Sequence, residues 1–241
     1  MGLAVVSGGG TGIGAATAAA LAGDGHEVVI VGRRGDVLAK AAAGIAGTVT
    51  PVTADLSVPE QVARVSEAVG DRPVDVLVNN AGGYVGGDPS TPGGLVAQWR
   101  ANFDANVLTA VLLTEALRPA LRRRPGGRVI LLSSIAAQRG GGGPYSAAKA
   151  ALHGWAFDLA AELGPDGITV NVVSPGYVAE TEFFGGRMSE AGHRARVDQT
   201  LVGRAGRPAD IAAAIRYLAG AAAGYLTGQV IGVNGGSVLG R

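Results

Sequence analysis

The feature that most constrains this chain is an alternation carried from one end to the other. Short, β-branched apolar runs recur at "LAVV" (3–6), "EVVIV" (27–31), "VTPVT" (49–53), "VDVLVN" (74–79), "RVILL" (128–132), "ITVNVV" (168–173) and "QVIGV" (229–233). Alanine- and leucine-rich stretches long enough for helices separate them, including 13–23, 35–45, 59–69, 95–122 and 146–163. Most of the runs are apolar throughout, which is what strands covered on both faces require. Strand–helix alternation of this kind builds right-handed crossovers between parallel strands. The expected fold is α/β: one domain over 1–241, a doubly wound parallel sheet of about seven strands with helices on both faces. The glycine-rich segments 82–94 and 140–143 follow strand-like runs. Ligand loops of open α/β sheets lie there, so these segments read as parts of a site and not as domain boundaries.

Composition removes several classes of function. Hydrophobic residues are 47% of the 241 and charged ones 16%, ample for a core and without a disorder signature. A net charge of +1 gives no global attraction to nucleic acid or anionic membranes. Cysteine is absent, which excludes disulfides, thiolate nucleophiles and cysteine-ligated metals. His26, His153 and His193 are scattered without ligand spacing, so no metal is expected. No apolar run reaches the roughly 20 residues that span a bilayer. A strand-like run from Leu3 leaves no room for a signal peptide, and Val6 stands where N-myristoylation wants Ser or Thr. A soluble, cytoplasmic protein is expected.

The first turn carries a cofactor signal. "VVSGGGTGIGAATAAALA" runs strand, glycine-rich turn, helix. Glycines there let backbone approach a pyrophosphate, and the helix N-terminus offers amide N–H groups and a favourable dipole. Ser7, Gly8, Gly10, Thr11, Gly12, Ile13 and Gly14 are therefore candidate dinucleotide contacts in a Rossmann-type fold. The second strand ends in Gly32, Arg33 and Arg34, where a carboxylate would hold the ribose 2′-OH of NAD(H) and an arginine suits a 2′-phosphate. NADP(H) is thus favoured over NAD(H). Asp55, in "TADLS", either accepts a hydrogen bond from adenine or caps the helix beginning near Val58.

These features occur in a familiar order. Ser7-Gly8-x-x-x-Gly12-Ile13-Gly14, Asp55-Leu56, "NNAG" (79–82), Asn106, Ser134, Tyr145-x-x-x-Lys149 and "SPG" (174–176) follow one another along the chain. In this the chain resembles the short-chain dehydrogenase/reductase family, above all its 3-oxoacyl-(acyl-carrier-protein) reductase members, over effectively its whole length. The resemblance implies a catalytic set of Asn106, Ser134, Tyr145 and Lys149. Tyr145 would protonate a carbonyl oxygen as hydride arrives from the nicotinamide, and Ser134 would stabilise that oxygen. Lys149 would hold the nicotinamide ribose, and Asn106 a water that relays protons. It also implies cofactor contacts from Leu56, Asn80, Ala81, Gly82, Pro175, Gly176, Val178 and Thr181, besides Tyr145 and Lys149. The residue types suit the chemistry. A free tyrosine titrates near 10, and a nearby ammonium favours its phenolate. Positions i and i+4 share a helix face, so Tyr145 and Lys149 can point into one cleft. Ser133 is a second candidate hydroxyl, although adjacent residues face opposite ways.

The same resemblance frames what remains. Ser134 and Tyr145 are eleven positions apart, a shorter loop than family members commonly have, and "GGGG" at 140–143 would have to bend it. Tyr177, Phe183, Phe184 and Met188 read either as a substrate lid, about 177–206, or as aromatics that merely pack that segment down. Arg122, Arg123 and Arg124 complement a helix dipole or dock an acidic acyl carrier protein. Helices 95–122 and 146–163 are apolar on more than one face and want a partner, which the family supplies as a homodimer or homotetramer. The expected activity is an NADP(H)-dependent interconversion of a ketone and a secondary alcohol, on a free or carrier-bound small molecule. A dehydrogenase of sugars, steroids or other alcohols, or a dinucleotide-binding sensor without activity, would use the same fold.

Overall fold

Alternate residues of each central strand go to opposite sides of one sheet, and each side has its own core. Val5, Val29, Leu77, Val129, Leu131, Val170 and Val172 face one apolar cluster. Ala4, Val6, Val28, Ile30, Val78, Ile130 and Val173 face the other. That double burial is why the strand-like runs are apolar throughout. The computed structural model describes residues 2–184 and 188–240.

The strands are β1 (Leu3–Ser7), β2 (Glu27–Gly32), β3 (Val49–Thr53), β4 (Val76–Asn79), β5 (Arg128–Leu132), β6 (Thr169–Pro175) and β7 (Gln229–Val233). They form a sheet of order β3-β2-β1-β4-β5-β6-β7, and every neighbouring pair is parallel. Each of the seven expected strands is present. Pro51 sits in β3 at the sheet edge, where its missing N–H leaves no ladder bond unmade.

Helices α1 (Gly12–Gly23), α2 (Gly35–Gly44) and α9 (Pro208–Ala219) cover one face, bringing Leu21, Leu38, Ile211 and Ile215 to its core. Helices α3 (Pro59–Val69), α5 (Thr109–Leu121) and α7 (Pro144–Leu163) cover the other with Val65, Leu113, Leu117, Leu159 and Leu163. The other α-helices among the described residues are α4 (Pro92–Phe103), α6 (Ala136–Arg139) and α8 (Glu190–Val197). The stretch expected as one helix over 95–122 is instead α4 and α5 joined by a π turn, Asp104–Leu108, that contains Asn106. Nothing in "DANVL" is a helix breaker, so the widened turn has no local signature; π turns of this kind gather at functional sites. Strand order reverses between β1 and β4, and ligands of doubly wound sheets bind at the carboxyl ends of the strands flanking such a reversal.

Candidate active site

Every candidate residue lies just beyond the carboxyl end of a strand or in the helix that follows. The turn from Ser7 to Gly14 leaves β1, Arg33 and Arg34 leave β2, and Asp55 and Leu56 leave β3. Asn80, Ala81 and Gly82 leave β4, Ser134 leaves β5, and Pro175 to Thr181 end and follow β6. The first turn is built for close approach. A Cβ on Gly14 would stand 2.0 Å from the Gly8 carbonyl oxygen, so only glycine fits there. Helix α1 begins at Gly12 with no side-chain cap on its first amides and no acidic residue in its first turn. Those N–H groups and the dipole behind them are free to receive an anion. The residues present fit a dinucleotide pyrophosphate.

Several candidates shape that turn from within. Ser7 Oγ accepts hydrogen bonds from the amides of Asn80 and Ala81, both 2.9 Å. Asn80 Nδ2 donates to the carbonyls of Ser7 and Gly8. These bonds lock the ends of β1 and β4 together at the reversal. Leu56 and Val178 send their side chains into the cores. Asp55 does not cap α3, whose N-cap is Val58 without a side-chain bond. Its Oδ1 accepts from the amide and hydroxyl of Ser57, and those bonds hold its pKa below the usual carboxylate value. A carboxylate in a tight turn two residues ahead is the local reason the cap failed.

The catalytic candidates converge. Tyr145 and Lys149 occupy the first turns of α7 and are both buried. The Ser134 hydroxyl accepts from the Ala136 amide and stands beside the Tyr145 phenol, close enough to draw its pKa down. The short loop between them closes with a helical turn, α6, followed by Gly140, Gly141 and Gly143 at φ 77°, 91° and 54°. Those are left-handed values that a side chain would resist, so the glycine run is a bend and not a linker. Ser133 faces the other way: its Oγ donates to the Lys149 carbonyl (2.9 Å) and meets His153 Nε2 at 2.8 Å. With the serine proton given to the carbonyl, His153 is the donor in that pair. Sequence reasoning missed His153, which stands one helical turn beyond Lys149.

Electrostatics depart from the expectation that lysine pulls the tyrosine down. Burial pushes Tyr145 up to about 12, against the opposing pull of the Ser134 hydroxyl. Burial also pushes Lys149 down to about 8. Lys149 Nζ donates to the Leu132 carbonyl at 2.7 Å and lies 5.9 Å from the centroid of the Tyr145 ring. Desolvation penalises both charged forms and here outweighs their mutual attraction.

The loop after β4 is gripped from the side. Asn106 Nδ2 donates to Gly83 O at 2.8 Å while its Oδ1 accepts from Gly83 N at 2.9 Å. One turn earlier Asn102 holds Val85 in the same two-bonded way, 2.7 and 3.1 Å, and is fully buried. Gln98 Nε2 reaches the Tyr84 hydroxyl. Asn102 was not a candidate; a second asparagine four residues before Asn106, one helical turn away, was the signal for it. A Cβ on Gly82 would meet both Asn106 Oδ1 (2.5 Å) and Lys149 Nζ (3.1 Å), so those two groups look at one point.

The segment after β6 folds over this site. Thr181 lies against Gly12, and Phe183 stacks at a tilt on Tyr145 with centroids 5.5 Å apart. The hydroxyl of Tyr177 is 2.7 Å from His193 Nδ1, and Arg196 lies over its ring, which fastens α8 down. Residues 185–187 and the side chain of Phe184, part of the expected lid, fall outside the described residues. Among the described residues no group of three or more His, Asp or Glu could hold a metal ion, and no helix is long and apolar enough to cross a membrane. Arg122, Arg123 and Arg124 are each paired with a carboxylate, of Asp166, Asp71 and Asp75 respectively.

A phosphate-receiving turn at the sheet's reversal, faced by a serine beyond β5 and a tyrosine and lysine on α7, defines a dinucleotide-dependent oxidoreductase. The relatives agree. A family model described as enoyl-(acyl carrier protein) reductase matches residues 8–237. The chain is 39% identical to the short-chain reductase protein NovJ of Streptomyces niveus, covering 97% of this chain and 93% of that one. It is 35% identical to a 3-oxoacyl-(acyl-carrier-protein) reductase of Synechocystis, covering 98% and 97%. The solved Pseudomonas aeruginosa RhlG/NADP active-site complex superposes with a TM-score of 0.86 at 31% identity, covering 98% of this chain and 96% of that one. The chain belongs to the short-chain dehydrogenase/reductase family, and it binds a nicotinamide dinucleotide.

Proposed function

We propose that the protein reduces the ketone of a β-ketoacyl thioester to a secondary alcohol with NADPH. The observation that carries this is the convergence of Ser134, Tyr145 and Lys149 beyond the end of β5, with the Ser134 hydroxyl beside the Tyr145 phenol so that two hydroxyls border one space. A carbonyl oxygen placed there receives both. The cofactor supplies the hydride; the chain supplies placement and the proton. Tyr145, held protonated far above neutral pH, donates its proton to the oxygen as charge develops on it. Ser134 lowers the energy of that charge by hydrogen bonding, in a site with little water to screen it. Lys149, with one N–H on the Leu132 carbonyl, has two left for the nicotinamide ribose and for a water facing Asn106 Oδ1.

Reduction starts from the protonated tyrosine, the form burial favours near neutral pH, and the reverse reaction starts from its phenolate. NADPH is preferred over NADH because β2 ends in Gly32, Arg33 and Arg34 with no carboxylate for a ribose 2′-OH. The thioester comes from the relatives, whose names include acetoacetyl-CoA reductase and 3-oxoacyl-(acyl-carrier-protein) reductase. The matching family model is named for reduction of an enoyl double bond. Two hydroxyls beside the carbon that takes hydride suit a ketone; in enoyl reduction hydride goes to the β-carbon and charge gathers on the thioester oxygen, two carbons away. The test is to follow NADPH oxidation with acetoacetyl and crotonyl thioesters. Turnover of the first and not the second is expected, and the reverse pattern would overturn the reading. Tyr145→Phe should keep NADPH binding and lose about 10²–10⁴ in kcat, the span of one proton-transfer catalyst; unchanged turnover would remove Tyr145 from the mechanism.

A further inference from the structure

The end of β2 does not face solvent alone. Arg34 holds Glu182, from the segment after β6, with both guanidinium nitrogens: Nη2 to Oε2 at 2.6 Å and Nη1 to Oε1 at 3.4 Å. Arg34 and, more weakly, the Thr11 hydroxyl hold that carboxylate's pKa below the usual value. Thr11 belongs to the first turn and Arg34 to the second strand end, so Glu182 bridges two parts of the dinucleotide site from 148 residues away. Beside them a cleft of about 590 Å³ is lined by Gly10, Thr11, Val37, Lys40 and Glu182. A guanidinium gripped by two oxygens of a planar anion is the arrangement in which arginine takes a phosphate.

Just before Glu182, Glu180 has φ 59°, a left-handed value that is uncommon for a residue with a side chain. Such backbone persists where surrounding contacts hold it, and the Arg34 and Thr11 contacts of Glu182 are two of those within reach. Just after it, Phe183 stacks on Tyr145. One short segment therefore touches the cofactor's anion site with one side chain and the proton donor with the next.

We propose that Glu182 is an internal competitor for the adenosine 2′-phosphate of the cofactor, and that it lowers affinity for NADPH while leaving NADH untouched. The proposal rests on the NADPH reading above. A 2′-phosphate and the Glu182 carboxylate both require the Arg34 guanidinium, and they repel one another at that distance. NADPH must turn Glu182 aside; NADH, with a neutral 2′-OH, makes no such demand.

The test is direct binding of NADPH and NADH to the purified protein, followed by nucleotide fluorescence, with Glu182→Gln, Arg34→Ala and the double variant. Arg34 and Glu182 side chains are both more than half exposed, so neither change threatens folding. Glu182→Gln is expected to bind NADPH about two- to five-fold tighter, the scale of an exposed ion pair, with NADH within error of the parent. The gain should vanish when Arg34 is alanine, since the competition runs through it. Equal or weaker NADPH binding by Glu182→Gln, or the same gain for both cofactors, would overturn the proposal while leaving the NADPH preference standing. A parent protein that binds NADH as well as NADPH, with Arg34→Ala affecting neither, would overturn the cofactor reading and this inference with it.

Discussion

Tyr145 and Lys149 show how much burial alone decides at the scale of one residue. Their spacing made them a helix-face pair before any coordinates, but spacing could not say that desolvation would dominate their charges. Lys149 has a lower pKa folded, about 8, than its ordinary 10.5, so between those values the unfolded chain binds more protons. Its contribution to stability therefore rises with pH across that window. Tyr145 has the opposite sign: folded it titrates near 12 against 10.0, so stability falls as pH climbs between the two. In catalysis the lysine limit is the one that matters. We expect kcat/KM for the ketone to fall as pH rises through about 8, as the ammonium is lost, and Lys149→Arg to push that fall upward. A profile flat to pH 10 in the parent would show that Lys149 acts without its charge. Ser133 and Ser134 carry a parallel lesson: alternation of strand residues separated their roles, yet only the fold revealed the histidine waiting for the first.

Among elements, strands were the most legible, because burial on both faces leaves unmixed apolar runs with no competing reading. Glycine-rich turns after β1 and in the Ser134–Tyr145 loop were also legible, since few residues but glycine permit such a bend. Less legible was whatever depends on side chains from distant segments. Asp55 was weighed as a cap and became the anchor of its own turn. Asn102 drew no reading from the sequence, although with Asn106 it holds Gly83 and Val85 by main-chain N–H and C=O alike, much as a neighbouring strand would. Asn102→Leu keeps the volume and strips those two bonds from the half-exposed loop. A cost of about 1–3 kcal/mol follows, at roughly 2–4 °C of Tm for each kcal/mol in a chain of this size. Cofactor binding should survive, and KM for the ketone should rise because the rim at 83–85 loses its hold. A variant with an unchanged Tm, measured by calorimetry, would show that the clamp holds nothing.

For the whole molecule, the open question is what covers the helices. Trp99 and Phe103 on α4 and Phe157 on α7 are each about half exposed, at 48%, 45% and 52%. Soluble chains rarely leave several large apolar side chains so close in sequence uncovered without a partner. We propose that these helices pair with a second copy. Phe157→Glu, placed away from the cleft residues, should lower the sedimenting mass of the protein and remove the dependence of its thermal stability on concentration; an unchanged sedimentation coefficient would assign that face to something else. The π turn at Asp104–Leu108 carries a consequence of its own. Each residue of a regular helix advances the chain's heading by about 100°. By winding wider, the turn resets that heading between two jobs, so that Asn102 and Asn106 aim at the loop of the site while Leu113 and Leu117 aim at the sheet. Removing one residue there would leave a helix of good hydrogen bonds that could satisfy the site or the core, and never both.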